Sequence, residues 1–112
     1  SLSLPITPAR DQPLQFVRWQ PGDALVKGAY NVLIPEKQEP VAMPEALLIP
    51  CVGYTSGRFR LGYGGGFFDR TLAAHPGTHT IGVAYSCLKT EFETEENDIP
   101  LHCIITETGI ML

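Results

Sequence analysis

Four glycines within five positions, Gly62, Gly64, Gly65 and Gly66, follow Arg58 and Arg60 and lead into Phe67, Phe68, Asp69 and Arg70. Glycine runs expose main-chain N–H groups, accept positive φ and let another molecule approach the backbone closely. A helix beginning right after such a run adds its free N–H groups and the positive end of its dipole. With a guanidinium beside them, these groups suit a phosphate. The plainer alternative is a tight strand-to-helix turn; Arg60 and the carboxylate of Asp69 tilt the pattern toward binding.

Two common phosphate binders do not account for the loop. A P-loop requires Lys followed by Ser or Thr after its last glycine, whereas Phe67 follows Gly66. A dinucleotide fingerprint starting at Gly62 needs a glycine at position 67, which is again Phe67. The flanking charges also have second uses. Arg60 could pair with a surface carboxylate, and Asp69 in a first helical turn would favour the dipole without any ligand. Arg58 stands evenly between phosphate contact and surface, and Arg70 could point along the helix to solvent or to the acidic segment 89–98. The histidines form no metal pattern: His75 and His79 flank a turn, and His102 alternates within an expected strand.

Several elements must position the loop. Residues 2–6 read as a strand ended by prolines, and residues 14–19 alternate apolar and polar with a period of two. Gln20-Pro21-Gly22-Asp23 is a turn, with proline presetting φ and glycine following. Residues 24–30 are ambiguous, with one helical turn closed by Gly28 as the expectation, and residues 31–35 are extended. The continuous apolar run over 46–52 predicts a strand covered on both faces, as in a parallel sheet. A helix is predicted over 67–75, where Phe68 and Leu72 share a face and Pro76-Gly77 stops it. Residues 80–85 and 101–106 are further strands, and another starts at 110–112. Strand, loop, helix and strand make a crossover unit, so the class is α/β. One helix cannot cover both faces of such a sheet, so a missing layer comes from a partner or from a longer domain.

At 112 residues the chain is one domain, residues 1–112, and 44% apolar with 18% charged residues is a globular composition. A net charge of −4 leaves no basic footprint for nucleic acid. No apolar run reaches membrane-spanning length, and nothing reads as a signal peptide. Cys51, Cys87 and Cys103 have no metal or redox spacing, so reduced thiols and a cytoplasmic location are expected. Eight of the ten prolines precede residue 51, which makes the first half short extended pieces and turns.

The segment Arg60-Leu61-Gly62-Tyr63-Gly64-Gly65-Gly66-Phe67-Phe68-Asp69-Arg70 closely resembles the signature of the 5-formyltetrahydrofolate cyclo-ligases, or methenyltetrahydrofolate synthetases. Leu48-Ile49-Pro50 resembles the strand entering that motif, and Ile81-Gly82-Val83-Ala84-Tyr85 the strand after its helix. Glu96-Asn97-Asp98-Ile99-Pro100-Leu101 and Ile104-Ile105-Thr106-Glu107 resemble the family's C-terminal end, and Pro5 and Ile34-Pro35-Glu36 also align. The resemblance implies a three-layer α/β/α domain with a mostly parallel sheet, of which this chain is the C-terminal part.

It further implies ATP- and magnesium-dependent conversion of 5-formyltetrahydrofolate to 5,10-methenyltetrahydrofolate, by phosphorylation of the formyl oxygen and ring closure. Arg60 and Tyr63 would be catalytic. Arg60, Leu61, Gly62, Tyr63, Gly64, Gly65, Gly66, Phe67 and Phe68 would hold the nucleotide, with residues 63–67 where the formyl end of the folate meets the γ-phosphate. Asp69 and Asp98 would be the Mg2+ ligands, although Asp98 before Ile99-Pro100 also suits a simple turn. The implied partner is a reduced folate, with self-association or a missing N-terminal segment completing the site. The chain departs from the family pattern at Phe67 and Phe68, where tyrosines are usual, and at Val52-Gly53-Tyr54, which lacks the usual acid. It also has Ser86-Cys87-Leu88 where a glutamine is common. These departures leave two alternatives: a paralogue that binds nucleotide or another small molecule, or a non-catalytic structural fragment.

Overall fold

The computed structural model describes residues 2–61, 66–96 and 98–112. Its centre is a four-stranded sheet in the order β10-β9-β8-β5. These strands are β5 (Ala46–Pro50), β8 (His79–Val83), β9 (Cys103–Thr106) and β10 (Gly109–Met111). β5 runs parallel to β8 and β8 parallel to β9, while β10 folds back antiparallel on β9. The sheet is therefore mixed and mostly parallel, and α1 (Phe67–Ala74) in the β5-to-β8 connection makes the chain a partial α/β domain.

Three small antiparallel ribbons accompany the sheet among the described residues. β1 (Leu2–Ile6) pairs with β2 (Gln15–Trp19), β3 (Leu25–Lys27) with β4 (Leu33–Pro35), and β6 (Gly53–Tyr54) with β7 (Arg60–Leu61). The expected turn at Pro21-Gly22 is present: Asp23 N–H donates to the Gln20 carbonyl at 3.0 Å, and Gly22 has φ 96°. The helical turn expected within 24–30 is not formed there. Residues 25–27 are strand β3, and a 3-10 turn occupies Ala29–Asn31. Pairing with Leu33–Pro35 overrode local preference, as tertiary context commonly does.

α1 forms where expected because Leu72 points into the core and Phe68 packs against it. The core gathers Phe16, Leu47, Ile49, Cys51, Leu72 and Leu101. Thr71, fully buried, ties the first ribbon to the helix: its Oγ1 accepts the Leu14 N–H at 2.8 Å and donates to the Phe67 carbonyl at 2.7 Å. Gly82 leaves room for this packing, since a Cβ there would lie 2.8 Å from Leu101 and 3.1 Å from Cys51 Sγ.

The apolar run at 46–52 predicted cover on both faces, and here the structure differs. Leu47 and Ile49 are buried beneath α1, but Leu48 is 71% exposed. In register, Leu48 pairs with Ile81, which pairs with Cys103, while Pro50, Val83, Ile105 and Ile110 form the adjoining row. That second face is apolar and open among the described residues because α1 lies on the other side. Neighbouring residues of one strand should therefore respond very differently to truncation. Ile49→Ala should cost about 2–5 kcal/mol and Leu48→Ala under about 0.5 kcal/mol in urea unfolding. Equal losses would mean that the open face is covered in solution.

Candidate functional site

The first turn of α1, the end of β7 and the segment leading to β9 converge at the C-terminal edge of β5. Gly66 opens α1 in the left-handed region, φ 70°, and no side chain caps this end. A Cβ at Gly66 would lie 2.9 Å from Arg70 Nη1, a movable side-chain end, so it is the left-handed backbone that favours glycine here. Arg60 reaches across from β7. Its Nη2 donates to the Pro50 carbonyl at 3.3 Å, and its guanidinium lies over the Phe68 ring, 4.8 Å from the centroid. Arg60 Nε is buried and has no hydrogen-bond partner among the described residues. Cys51 sits against the same guanidinium, yet burial pushes its thiol above the ordinary range and outweighs the cation.

Asp69 projects from the first turn of α1. Burial raises its pKa, and the charge of Asp98 raises it further, against the opposing pull of Arg60, a hydrogen bond to the Ile99 backbone and Arg70. The two acids named from sequence are thus brought within electrostatic reach of each other and of Arg60. Asp98 is also a turn former, since its Oδ2 accepts the Glu95 N–H at 2.7 Å and its own N–H donates to the Glu95 carbonyl at 3.0 Å.

The remaining arginines are spent differently. Arg58 adopts φ 67° and holds the segment before β9: its Nε donates to the Leu101 carbonyl and its carbonyl accepts the Leu101 N–H, each at 2.9 Å. That reciprocal pair fixes Leu101 against the β6–β7 ribbon, a structural role that composition and spacing did not reveal. The Thr55-Ser56-Gly57 turn before Arg58 was the available signal. Arg70 points neither to the 89–98 segment nor simply along the helix. It lies over the Phe67 ring at 5.1 Å and approaches the Asp11 carboxylate at 4.0 Å. Leu61 is 47% exposed beside this site. Gly62, Tyr63, Gly64 and Gly65 lie outside the described residues. Among the described residues no group of three His, Cys, Asp or Glu side chains is arranged to hold a metal. His79, the first residue of β8, stacks on His102 at 4.5 Å, with His102 Nδ1 accepting from the Thr80 N–H; His102 immediately precedes β9 rather than lying within it.

The fold and this edge define a class first: an α/β domain whose helix N-terminus, following a glycine-rich segment, stands beside a half-buried arginine and an aspartate that senses a second one. The family model for the 5-formyltetrahydrofolate cyclo-ligase family matches residues 1–107, and the chain belongs to that family. It is 33% identical over 104 residues to a 5-formyltetrahydrofolate cyclo-ligase of Escherichia coli K12, covering 87% of this chain and 57% of the relative. A Haemophilus influenzae cyclo-ligase is 31% identical, covering 82% and 53% respectively. The solved 5,10-methenyltetrahydrofolate synthetase of Aquifex aeolicus superimposes with a TM-score of 0.75 at 29% identity, covering 96% of this chain and 56% of that one. The synthetase of Mycoplasma pneumoniae gives a TM-score of 0.69 at 25% identity, covering 92% of this chain and 54% of that one. The chain spans about half the length of the relatives it matches. No helix among the described residues is long and apolar enough to cross a membrane.

The raised pKa of Asp69 gives a stability consequence with a definite sign. An acid whose folded value lies above its unfolded one favours the folded state where it is protonated, and that contribution is lost as pH rises through the raised value. Ionised Asp69 is therefore a net penalty at neutral pH without a cation. Asp69→Asn should raise the melting temperature of the metal-free chain at pH 7, and the difference should shrink as pH falls through the ordinary carboxylate range. A lower melting temperature at pH 7 would mean that the negative charge itself supports α1.

Proposed function

We propose that the chain carries the phosphate- and metal-binding part of an enzyme that converts 5-formyltetrahydrofolate to 5,10-methenyltetrahydrofolate with ATP and Mg2+. The observation that carries this proposal is Asp69, whose pKa is raised by burial and by the nearby charge of Asp98, beside Arg60, whose Nε has no hydrogen-bond partner among the described residues. Two neighbouring carboxylates suit a hard divalent cation that takes its other ligands from water and phosphate oxygens. When bound, Mg2+ would supply neutralisation of the phosphate charge. Asp69 and Asp98 would hold it, and Arg60, steadied by Phe68 and the Pro50 carbonyl, would turn its free donor toward a phosphate oxygen.

The uncapped start of α1 and the glycines from Gly62 to Gly66 would offer main-chain N–H groups to the remaining phosphate oxygens. Tyr63 would stand between the two substrates. In this scheme the formyl oxygen accepts the transferred phosphoryl group, the 10-nitrogen attacks the formyl carbon, and phosphate leaves as the ring closes. The chain's part is alignment and charge compensation, which dominate catalysis of phosphoryl transfer. The names of the relatives, all cyclo-ligases or methenyltetrahydrofolate synthetases, support this reaction class.

The test is appearance of methenyltetrahydrofolate absorbance when the protein, as its cell makes it, is mixed with 5-formyltetrahydrofolate, ATP and Mg2+. Arg60→Ala should lower kcat by about 100-fold, as expected for losing a donor aimed at developing charge, with a much smaller change in melting temperature. Magnesium-dependent nucleotide binding without turnover would instead favour a binding paralogue. Loss of neither binding nor turnover in Arg60→Ala would remove Arg60 from the site.

A further inference from the structure

Glu107, the residue after β9, grips the segment that leaves β8. Its Oε1 accepts the Ser86 N–H at 2.7 Å, and its Oε2 accepts the Ser86 hydroxyl at 3.1 Å. Ser86 opens a 3-10 turn, Ser86–Leu88, which has no side-chain cap from its own N-cap residue, Tyr85. The carboxylate therefore supplies, from another strand, the acceptor that a capping residue supplies locally. Hydrogen bonds, above all from the Ser86 N–H, hold the Glu107 carboxyl below the usual carboxylate range although the group is exposed. Among the described residues no other side chain takes the Ser86 N–H or hydroxyl.

The same turn supports the ribbon that bears Arg60. Tyr54, buried in β6, donates its hydroxyl to the Ser86 carbonyl at 3.4 Å, and its own carbonyl accepts the Thr90 N–H at 2.8 Å. A Cβ on Gly53 would lie 3.7 Å from the Leu88 carbonyl oxygen, so the turn rests against β6. Tyr54 is the register partner of Arg60. β6 and β7 have two residues each, and a ribbon that short does not hold its own geometry. What surrounds Tyr54 thus sets where Arg60 stands.

We propose that Glu107 is a positioning residue for the reaction: by clamping the Ser86–Leu88 turn against Tyr54, it fixes the ribbon from which Arg60 addresses phosphate. This rests on the proposed function, since the clamp has a consequence for turnover only if the reaction uses Arg60. The side-chain hydrogen bonds of Glu107 go to Ser86, so it acts through the ribbon rather than on a reacting group. Without the carboxylate, the Ser86 N–H and hydroxyl turn to water, and the turn loses its tie to the end of β9. Tyr54 then keeps its partner on a looser support, and the Arg60 guanidinium samples more positions than the one over Phe68.

The experiment is a double-mutant cycle on Glu107 and Arg60, read by turnover of 5-formyltetrahydrofolate in the protein as its cell makes it and by amide hydrogen exchange. Glu107→Ala should lower kcat about tenfold while changing the KM for ATP by less than about twofold. Glu107→Gln, which keeps one acceptor oxygen, should recover most of the loss. In an Arg60→Ala background, Glu107→Ala should cost less than about twofold, because the residue it positions is already gone. Exchange at the Thr90 amide should quicken in Glu107→Ala, while amides between β5 and β8 keep their wild-type rates. An unchanged kcat in an active protein would overturn the inference, as would a full tenfold loss on top of Arg60→Ala. Faster exchange throughout the sheet would make Glu107 a residue of general stability and overturn it as well. If the wild-type protein shows no turnover, the proposed function falls and this inference with it. Wild-type turnover thus decides the reading beneath, and the cycle decides the role of Glu107.

Discussion

The parallel pairing of β5 with β8 is the constraint on which the rest of the molecule depends. Five residues of each strand are in register, from Ala46 with His79 to Pro50 with Val83. Parallel neighbours cannot be joined by a tight hairpin, so the chain must leave the end of β5, travel over the sheet and return. The intervening residues therefore include the β6–β7 ribbon, the glycine segment and α1. In open α/β sheets, ligands collect beyond the carboxyl ends of the strands. Pro50, whose carbonyl receives Arg60, is the last residue of β5 and stands at that edge.

Around that edge, polar groups divide between holding the fold and remaining available. Arg58 and Leu101 exchange two hydrogen bonds, closing the segment before β9 against the β6–β7 ribbon. Arg60 gives one donor to the Pro50 carbonyl, and its buried Nε has no hydrogen-bond partner among the described residues. A buried donor without a partner carries a desolvation cost of about 1–3 kcal/mol, which ligand binding would relieve. Asp69 is the complementary case, as burial and the charge of Asp98 both resist its ionisation. A buried donor and a carboxyl with a raised pKa brought together from different elements are the kind of arrangement that marks a candidate functional site.

The open face of the sheet has a separate physical meaning. Parallel sheets are ordinarily covered on both sides, yet Leu48, Val83 and Ile110 are 71%, 45% and 65% exposed. The apolar run at 46–52 led to the expectation of cover on two sides, and among the described residues only one of them is covered. Similar logic explains residues 24–30, where no strong period exists and the partner strand β4 decided between a helical turn and a strand.

Local chemistry determined a good deal by itself. The Pro21-Gly22 turn, α1, the crossover from β5 to β8 and the family signature around Gly62–Phe68 all depend on residues near one another in the chain, so they could be read there. So could the candidates for the site: Arg60 and Asp69 by their place around the glycines, and Asp98 through the family resemblance. Which arginine does what could not be read, because Arg58, Arg60 and Arg70 have the same chemistry and differ only in what lies opposite them. Their partners come from Leu101, from Pro50 with Phe68, and from Asp11 with Phe67 respectively. Contacts to Leu101 and Asp11 span dozens of residues, and only folding brings such groups together. Tertiary structure alone decided which guanidinium is spent on the fold and which keeps a donor without a partner among the described residues.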